Sequence, residues 1–219
     1  KLLYDPVKDF APISLVVQAP FLLVVHPSVP ARSAKDLIAL AKARPGALDF
    51  GSAGLGTATG LALEMFRIMA GVKVTHVPYK GISQATVDTL AGQVHALFSN
   101  PLSSLLYVKV GRLRALAVTS ARRSIVLPEL PTVAESGVPG YEAATWHGWL
   151  APAGTPAAIV NRLNAELAKG ARAPDVTGKL AADGGEPVGS TSEEFSRFLV
   201  TDIARWRKVV RESGMPLEQ

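Results

Sequence analysis

Three groups of glycine, hydroxyl and amide residues each follow a short apolar run in this chain. Gly51, Ser52, Gly54, Gly56, Thr57 and Thr59 come after Ala47 to Phe50, Tyr79, Lys80 and Ser83 come after Val74 to Val77, and Ser99 and Asn100 come after Val94 to Phe98. Glycines let backbone amides approach a ligand closely, and Ser, Thr, Tyr and Asn side chains both donate and accept hydrogen bonds. The chemistry on offer is therefore the grip of an anion, a carboxylate or a phosphate, with Lys80 as a counter-charge. The candidate binding residues are Ser52, Gly54, Gly56, Thr57, Thr59, Tyr79, Ser99 and Asn100. A plainer reading stands beside this one: the glycines shape a tight turn, and Ser52 or Thr57 caps the helix that follows.

Other chemistries fare worse. A phosphate-binding P-loop ends in Gly-Lys-Ser/Thr, and no lysine follows Gly56. Gly54, Gly56 and Gly60 come nearer the dinucleotide fingerprint, but the last spacing is one residue too long and no acidic residue closes the next strand near Val77. His26, His76, His95 and His147 fall in separate elements, and cysteine is absent, which argues against zinc, disulfides and thiol nucleophiles. There is no G-x-S-x-G elbow, and Asp88 and Glu64 fall within helices rather than at strand ends. The expectation is a binding site with no catalytic residue, no metal and no cofactor. The alternative from another class is a dinucleotide-binding oxidoreductase using Gly54, Gly56 and Gly60.

The elements that must position these residues are legible from periodicity. Ser33 caps a helix carrying Leu37, Ile38, Leu40 and Ala41, which Pro45-Gly46 closes. From there strands alternate with helices of about ten residues, the helices beginning near Thr57, Ser83 and Pro101, and a last strand runs from Leu113 to Val118. That alternation predicts βαβ units and a mostly parallel sheet, so that the three polar turns share its carboxyl edge. Upstream, Ile13 to Val17 and Phe21 to Val25 read as two strands or one broken strand. Beyond Thr119 come a short helix capped by Thr132 with Glu135, a strand from Ala144 to Ala151, and three helices, the last from Thr191 to Glu212. Trp146-His147-Gly148-Trp149 reads as cleft lining or as core. The tail holds too little sheet for a lobe of its own, and its partner strands are expected upstream of Lys1.

Composition limits the classes further. Of 219 residues 48% are apolar and 19% charged, enough to build a core, and 23 Lys+Arg against 18 Asp+Glu give a mild +5. Those basic residues are scattered and aromatics are only 6%, so no nucleic-acid partner is expected. The longest apolar runs fall far short of the roughly 20 residues that cross a bilayer, so the chain is expected not to span a membrane.

The stretches YDPVKDFAPISLV, PSVPARSAKDLIALAKARPGALDFGSAGLGT, HVPYKG, LAGQVHALFSN, GRLRALAVTS, LPTVAESGVPGYE and GWLAPAGTP occur in this order over nearly the whole chain. Together they strongly resemble the Bug (TctC-like) solute-binding proteins of tripartite tricarboxylate transporters. The resemblance implies an α/β, type II periplasmic-binding-protein fold of two lobes with mostly parallel sheets. Lobe II would span residues 18–119 and be complete, whereas lobe I, from residues 1–17 and 120–219, would lack its N-terminal segment. It also implies a periplasmic protein that captures a small carboxylate between its lobes and delivers it to a membrane permease. Closure would hinge near Val16 to Ala19 and Ala117 to Ser120. Where members carry Ser-Gln-His after the Gly-Thr of the glycine-rich loop, this chain has Ala58-Thr59-Gly60. Ser99 stands where an acidic residue is frequent. The same lobe architecture also serves effector-sensing regulators.

Overall fold

The computed structural model describes residues 3–124 and 127–215. The chain divides into two compact units, 1–19 with 145–208 and 20–144 with 209–215. Residues 120–144 therefore belong with the glycine-rich segment and not with the C-terminal helices, and the chain passes between units after Ala19, Ala144 and Lys208.

The first unit is built on a three-stranded sheet, order β7-β1-β8. Its strands are β1 (Phe10–Pro20), β7 (Ala144–Pro152) and the two-residue β8 (Glu186–Pro187), and β8 pairs antiparallel with β1. The helices α5 (Ala157–Ala171), α6 (Pro174–Ala182) and α7 (Ser192–Ser213) start close to the expected positions. Leu15, Phe195 and Leu199 form a core with Trp146, Phe198 and Val188, and Ile13, Ala151 and Val160 form a second cluster.

The second unit holds the candidate site on a five-stranded sheet, order β4-β3-β5-β2-β6. The strands are β2 (Leu22–Val25), β3 (Asp49–Ser52), β4 (Thr75–Pro78), β5 (Ala96–Ser99) and β6 (Arg114–Val118), with helices α1 (Ala34–Ala43), α2 (Ala58–Ala70), α3 (Ile82–Leu90) and α4 (Pro101–Lys109) between them. β3 pairs parallel with both β4 and β5, as the βαβ pattern predicts. β2 does not follow that pattern, because it lies antiparallel between β5 and β6. Its four residues are 0–1% exposed, which explains why it reads as an unbroken apolar run with no polar face to reveal its direction. Leu22 is level with Ser99 on one side and Val118 on the other, so the end of β6 reaches the same edge as the ends of β3, β4 and β5.

Two layers lock this sheet. Leu22, Val24, Leu97, Leu113 and Val118 pack with Ile82, Leu90, Tyr107 and Val108 of the α3–α4 region. Phe50, Phe66, Phe98 and Tyr141 form a buried ring cluster with centroids 5.7–6.4 Å apart. Tyr141 explains the placement of 120–144, since its hydroxyl donates to the Ala62 carbonyl at 2.9 Å. Thr119 adds to this: its buried Oγ1 accepts from Phe21 N at 2.6 Å and donates to the Ala143 carbonyl at 2.5 Å. The short helix expected at Thr132 is instead a turn. Thr132 and Glu135 make the reciprocal capping bonds, at 3.0 and 2.9 Å, but Gly137 at φ +110° and the nearby proline Pro139 stop propagation.

Candidate functional site

Because β4, β3 and β5 are parallel neighbours, the turns after Pro78, Ser52 and Ser99 emerge at one edge, each opening a helix. The glycine-rich turn is tied down by its own hydroxyls. Ser52 is buried, and its Oγ accepts from Gly54 N at 3.0 Å. Thr57 Oγ1 donates to the Gly54 carbonyl at 2.7 Å and caps α2 by accepting from Gly60 N at 3.3 Å, while Thr59 Oγ1 accepts from Ala53 N at 3.0 Å. Gly54, at φ +129°, needs glycine for its conformation. These three hydroxyls shape the turn, which leaves the backbone N–H groups of Leu55, Gly56, Ala58 and Thr59 without a protein acceptor among the described residues. They lie at the positive end of the α2 dipole.

The other two turns leave donors as well. Gly81 opens α3 without a side-chain cap. Asn100 opens α4 likewise, with Pro101 at the first helical position. Ser99 is fully buried and its Oγ donates to the Asn100 carbonyl at 3.2 Å. Asn100 Oδ1 is buried with no hydrogen-bond partner, and so is Oγ of Ser120, just past the end of β6. Buried polar atoms without partners cost about 1–3 kcal/mol each, so two of them at one sheet edge mark a place where something polar belongs. Ser120 is absent from the candidates read in the sequence. The signal for it was a polar residue directly after a fourth strand, obscured because β6 follows a reversed neighbour.

Tyr79 turns elsewhere. Its backbone N–H donates to the Ser52 carbonyl at 2.9 Å, but its hydroxyl donates to Asp88 Oδ2 on α3 at 2.8 Å. Burial, with the hydrogen bond to Asp88 and its charge, pushes the phenol up from 10.0 to about 12. The protonated phenol is the favoured form in the folded state. Its contribution to stability is complete below pH 10 and lost as pH rises towards 12. Phenolate absorbance during an alkaline titration should contain a late step about two units above 10.0 that Tyr79→Phe removes.

Beneath the glycine-rich turn sit two groups that the sequence did not bring together. His76 on β4 places Nε2 2.5 Å from Ser52 Oγ and Nδ1 3.6 Å from Oε1 of Glu64 on α2. Arg67 Nη1 bonds both Glu64 oxygens at 2.8 Å. Burial pushes the Glu64 carboxyl up, but the nearby His76 ring and the hydrogen bonds and charge of Arg67 outweigh it and hold the group below its ordinary value. A lone glutamate inside the apolar stretch Ala62 to Phe66 was the available clue. Among the described residues no group of three His, Cys, Asp or Glu side chains could hold a metal ion, and no helix is long and apolar enough to cross a membrane.

The family model described as "Tripartite tricarboxylate transporter family receptor" (TctC) matches residues 1–215. The "UPF0065 protein in tcbD-tcbE intergenic region" of Pseudomonas sp. (strain P51) is 40% identical over 217 residues, 99% of this chain. The chain spans 65% of that relative's length. Among solved structures, "R. palustris Rpa4515 with adipate" superposes with TM-score 0.84 at 41% identity, over 98% of this chain and 72% of the other. "MatC (Rpa3494) from Rhodopseudomonas palustris with bound malate" superposes with TM-score 0.78 at 28% identity, over 96% and 72%.

Proposed function

Since the chain belongs to the tripartite tricarboxylate transporter receptor family (TctC), we propose that it captures a small carboxylate at the carboxyl edge of its five-stranded sheet, in the periplasm, and passes it to a membrane permease. The observation that carries this reading is a donor-rich, unsatisfied edge. Unpaired amides of the α2 turn, the uncapped starts of α3 and α4, and the orphaned Asn100 Oδ1 and Ser120 Oγ all stand at the ends of β3 to β6. Amides at a helix start favour a negative ligand, and an orphaned acceptor is satisfied by a hydroxyl on the same ligand. Adipate and malate in two relatives of similar fold support the ligand class. In this reading Ser52, Thr57 and Thr59 shape the turn, the Gly54 to Thr59 backbone holds a carboxylate, and Asn100 meets its polar substituent.

Thermal unfolding tests the assignment. At a hundredfold excess over Kd a ligand that binds only the folded state adds about 2.7 kcal/mol, which raises Tm by on the order of 5–10 °C in a protein of this size. Short dicarboxylates should produce that shift, and NAD or NADP should not. Stabilisation by the dinucleotides alone would transfer the site to the oxidoreductase reading.

A further inference from the structure

The network Arg67–Glu64–His76–Ser52, in which the carboxylate and imidazole are buried and the guanidinium is partly exposed, is charge that ligand capture, as described so far, does not use. The His76 and Glu64 side chains are 7% and 3% exposed, and His76 touches the ligand turn directly through Ser52. We propose that His76 is a positioning residue that couples carboxylate capture to proton uptake, a role that rests on the carboxylate-receptor reading.

Charge balance makes the case. Arg67 Nη1 bonds both oxygens of the Glu64 carboxylate, so those two charges cancel and a proton on His76 is the one uncompensated charge of this four-residue network. With the ring neutral, Nε2 accepts from Ser52 Oγ and the Nδ1 hydrogen faces Glu64. With the ring protonated, Nε2 donates to Ser52, whose hydrogen turns to the Gly54 carbonyl 3.3 Å away. Ser52 Oγ can accept from Gly54 N in both states, so protonation changes the field at the turn without undoing it. The other charged groups nearby are engaged elsewhere. Asp49, at the start of β3, lies 3.3 Å from His95, and Asp88 on α3 accepts from Tyr79. Lys80, in the turn after β4, is exposed to solvent. An anion on the Gly54 to Thr59 amides therefore favours the charged imidazole, and by reciprocity the charged imidazole favours the anion.

Calorimetric titration with adipate, between pH 6 and 8 in buffers of different ionisation enthalpy, tests this, because free carboxylates stay largely ionised there and imidazole is the side chain whose charge can change in that window. The protein should take up a fraction of a proton on binding, and Kd should fall about two- to sixfold from pH 8 to 6, the change that a ligand-induced rise of about half to one unit in an imidazole midpoint gives over that window. His76→Gln keeps an acceptor for Ser52 but cannot hold the proton, so it should bind adipate without that slope. Binding by the wild type with no proton uptake, or an unchanged slope in His76→Gln, overturns the proposal while leaving the receptor reading intact. No binding of adipate or malate at any pH overturns both. If His76→Gln does not fold, the wild-type His76 NMR titration decides: a midpoint raised by adipate supports the linkage, and an unmoved one defeats it.

Discussion

Gly60→Ala should abolish carboxylate capture and destabilise the five-stranded unit, while Gly56→Ala four residues earlier leaves stability within about 0.5 kcal/mol. A Cβ at Gly60 would stand 2.2 Å from the Gly54 carbonyl oxygen and 2.7 Å from that of Leu55. Both obstacles are backbone, so no side chain can rotate aside, and the turn must lift away from α2. Lifting it breaks the bond from Thr57 Oγ1 to the Gly54 carbonyl and the bond from Ala53 N to Thr59. Overpacking of this kind costs about 1–3 kcal/mol, occasionally more, and here it also scatters the amides that face the ligand. At Gly56 a Cβ would meet nothing within 4 Å, and φ there is not positive. Urea unfolding should give the loss for Gly60→Ala, and the thermal shift with adipate should vanish. Near-UV circular dichroism should keep the signal of the Phe50–Phe66–Phe98–Tyr141 cluster. Retained adipate binding in Gly60→Ala would mean that the turn does not hold the ligand.

That glycine also shows what the sequence could and could not reveal. Gly54, Gly56 and Gly60 read as an imperfect dinucleotide fingerprint, whereas the structure gives two of them unrelated tasks: a left-handed backbone at Gly54 and close approach of turn to helix at Gly60. Local signals read well. The Ser33 cap accepts from Asp36 N at 3.1 Å, Thr57 caps α2, and the parallel triplet β4-β3-β5 follows from strand–helix alternation. Long-range choices did not show. β2 carries no polar alternation to fix its direction, and residues 120–144 are held to the second unit by Thr119 and Tyr141, partners distant in the chain. At the site, residue type identified hydrogen-bonding capacity but not how it is used. The hydroxyls of Ser52, Thr57 and Thr59 turn inward, Tyr79 turns to Asp88, and the free donors are amides, which every non-proline residue possesses.

In the first unit the largest effect is expected from Gly148→Ala. Gly148 lies in the middle of β7, where small size reads as a weakness of the strand. A Cβ there would fall 2.2 Å from Phe195 Cζ and within 2.9 Å of Cε1 and Cε2. A phenyl ring at the surface would swing away. Phe195 is fully buried, its ring set edge to face with Trp146 at 5.7 Å and stacked with Phe198 at 6.4 Å, and it packs with Leu15 and Leu199. The added methyl should therefore cost at least about 1–3 kcal/mol. Phe195→Leu by itself opens a cavity and also destabilises. If the clash is the cause, the two changes together should cost clearly less than their sum, because the smaller side chain makes room for the methyl. A double-mutant cycle by urea unfolding measures that coupling. Strict additivity would show that Gly148 is required for its backbone and not for the space it leaves to Phe195, and would return the Trp146 to Trp149 segment to the alternative in which it serves something other than the core.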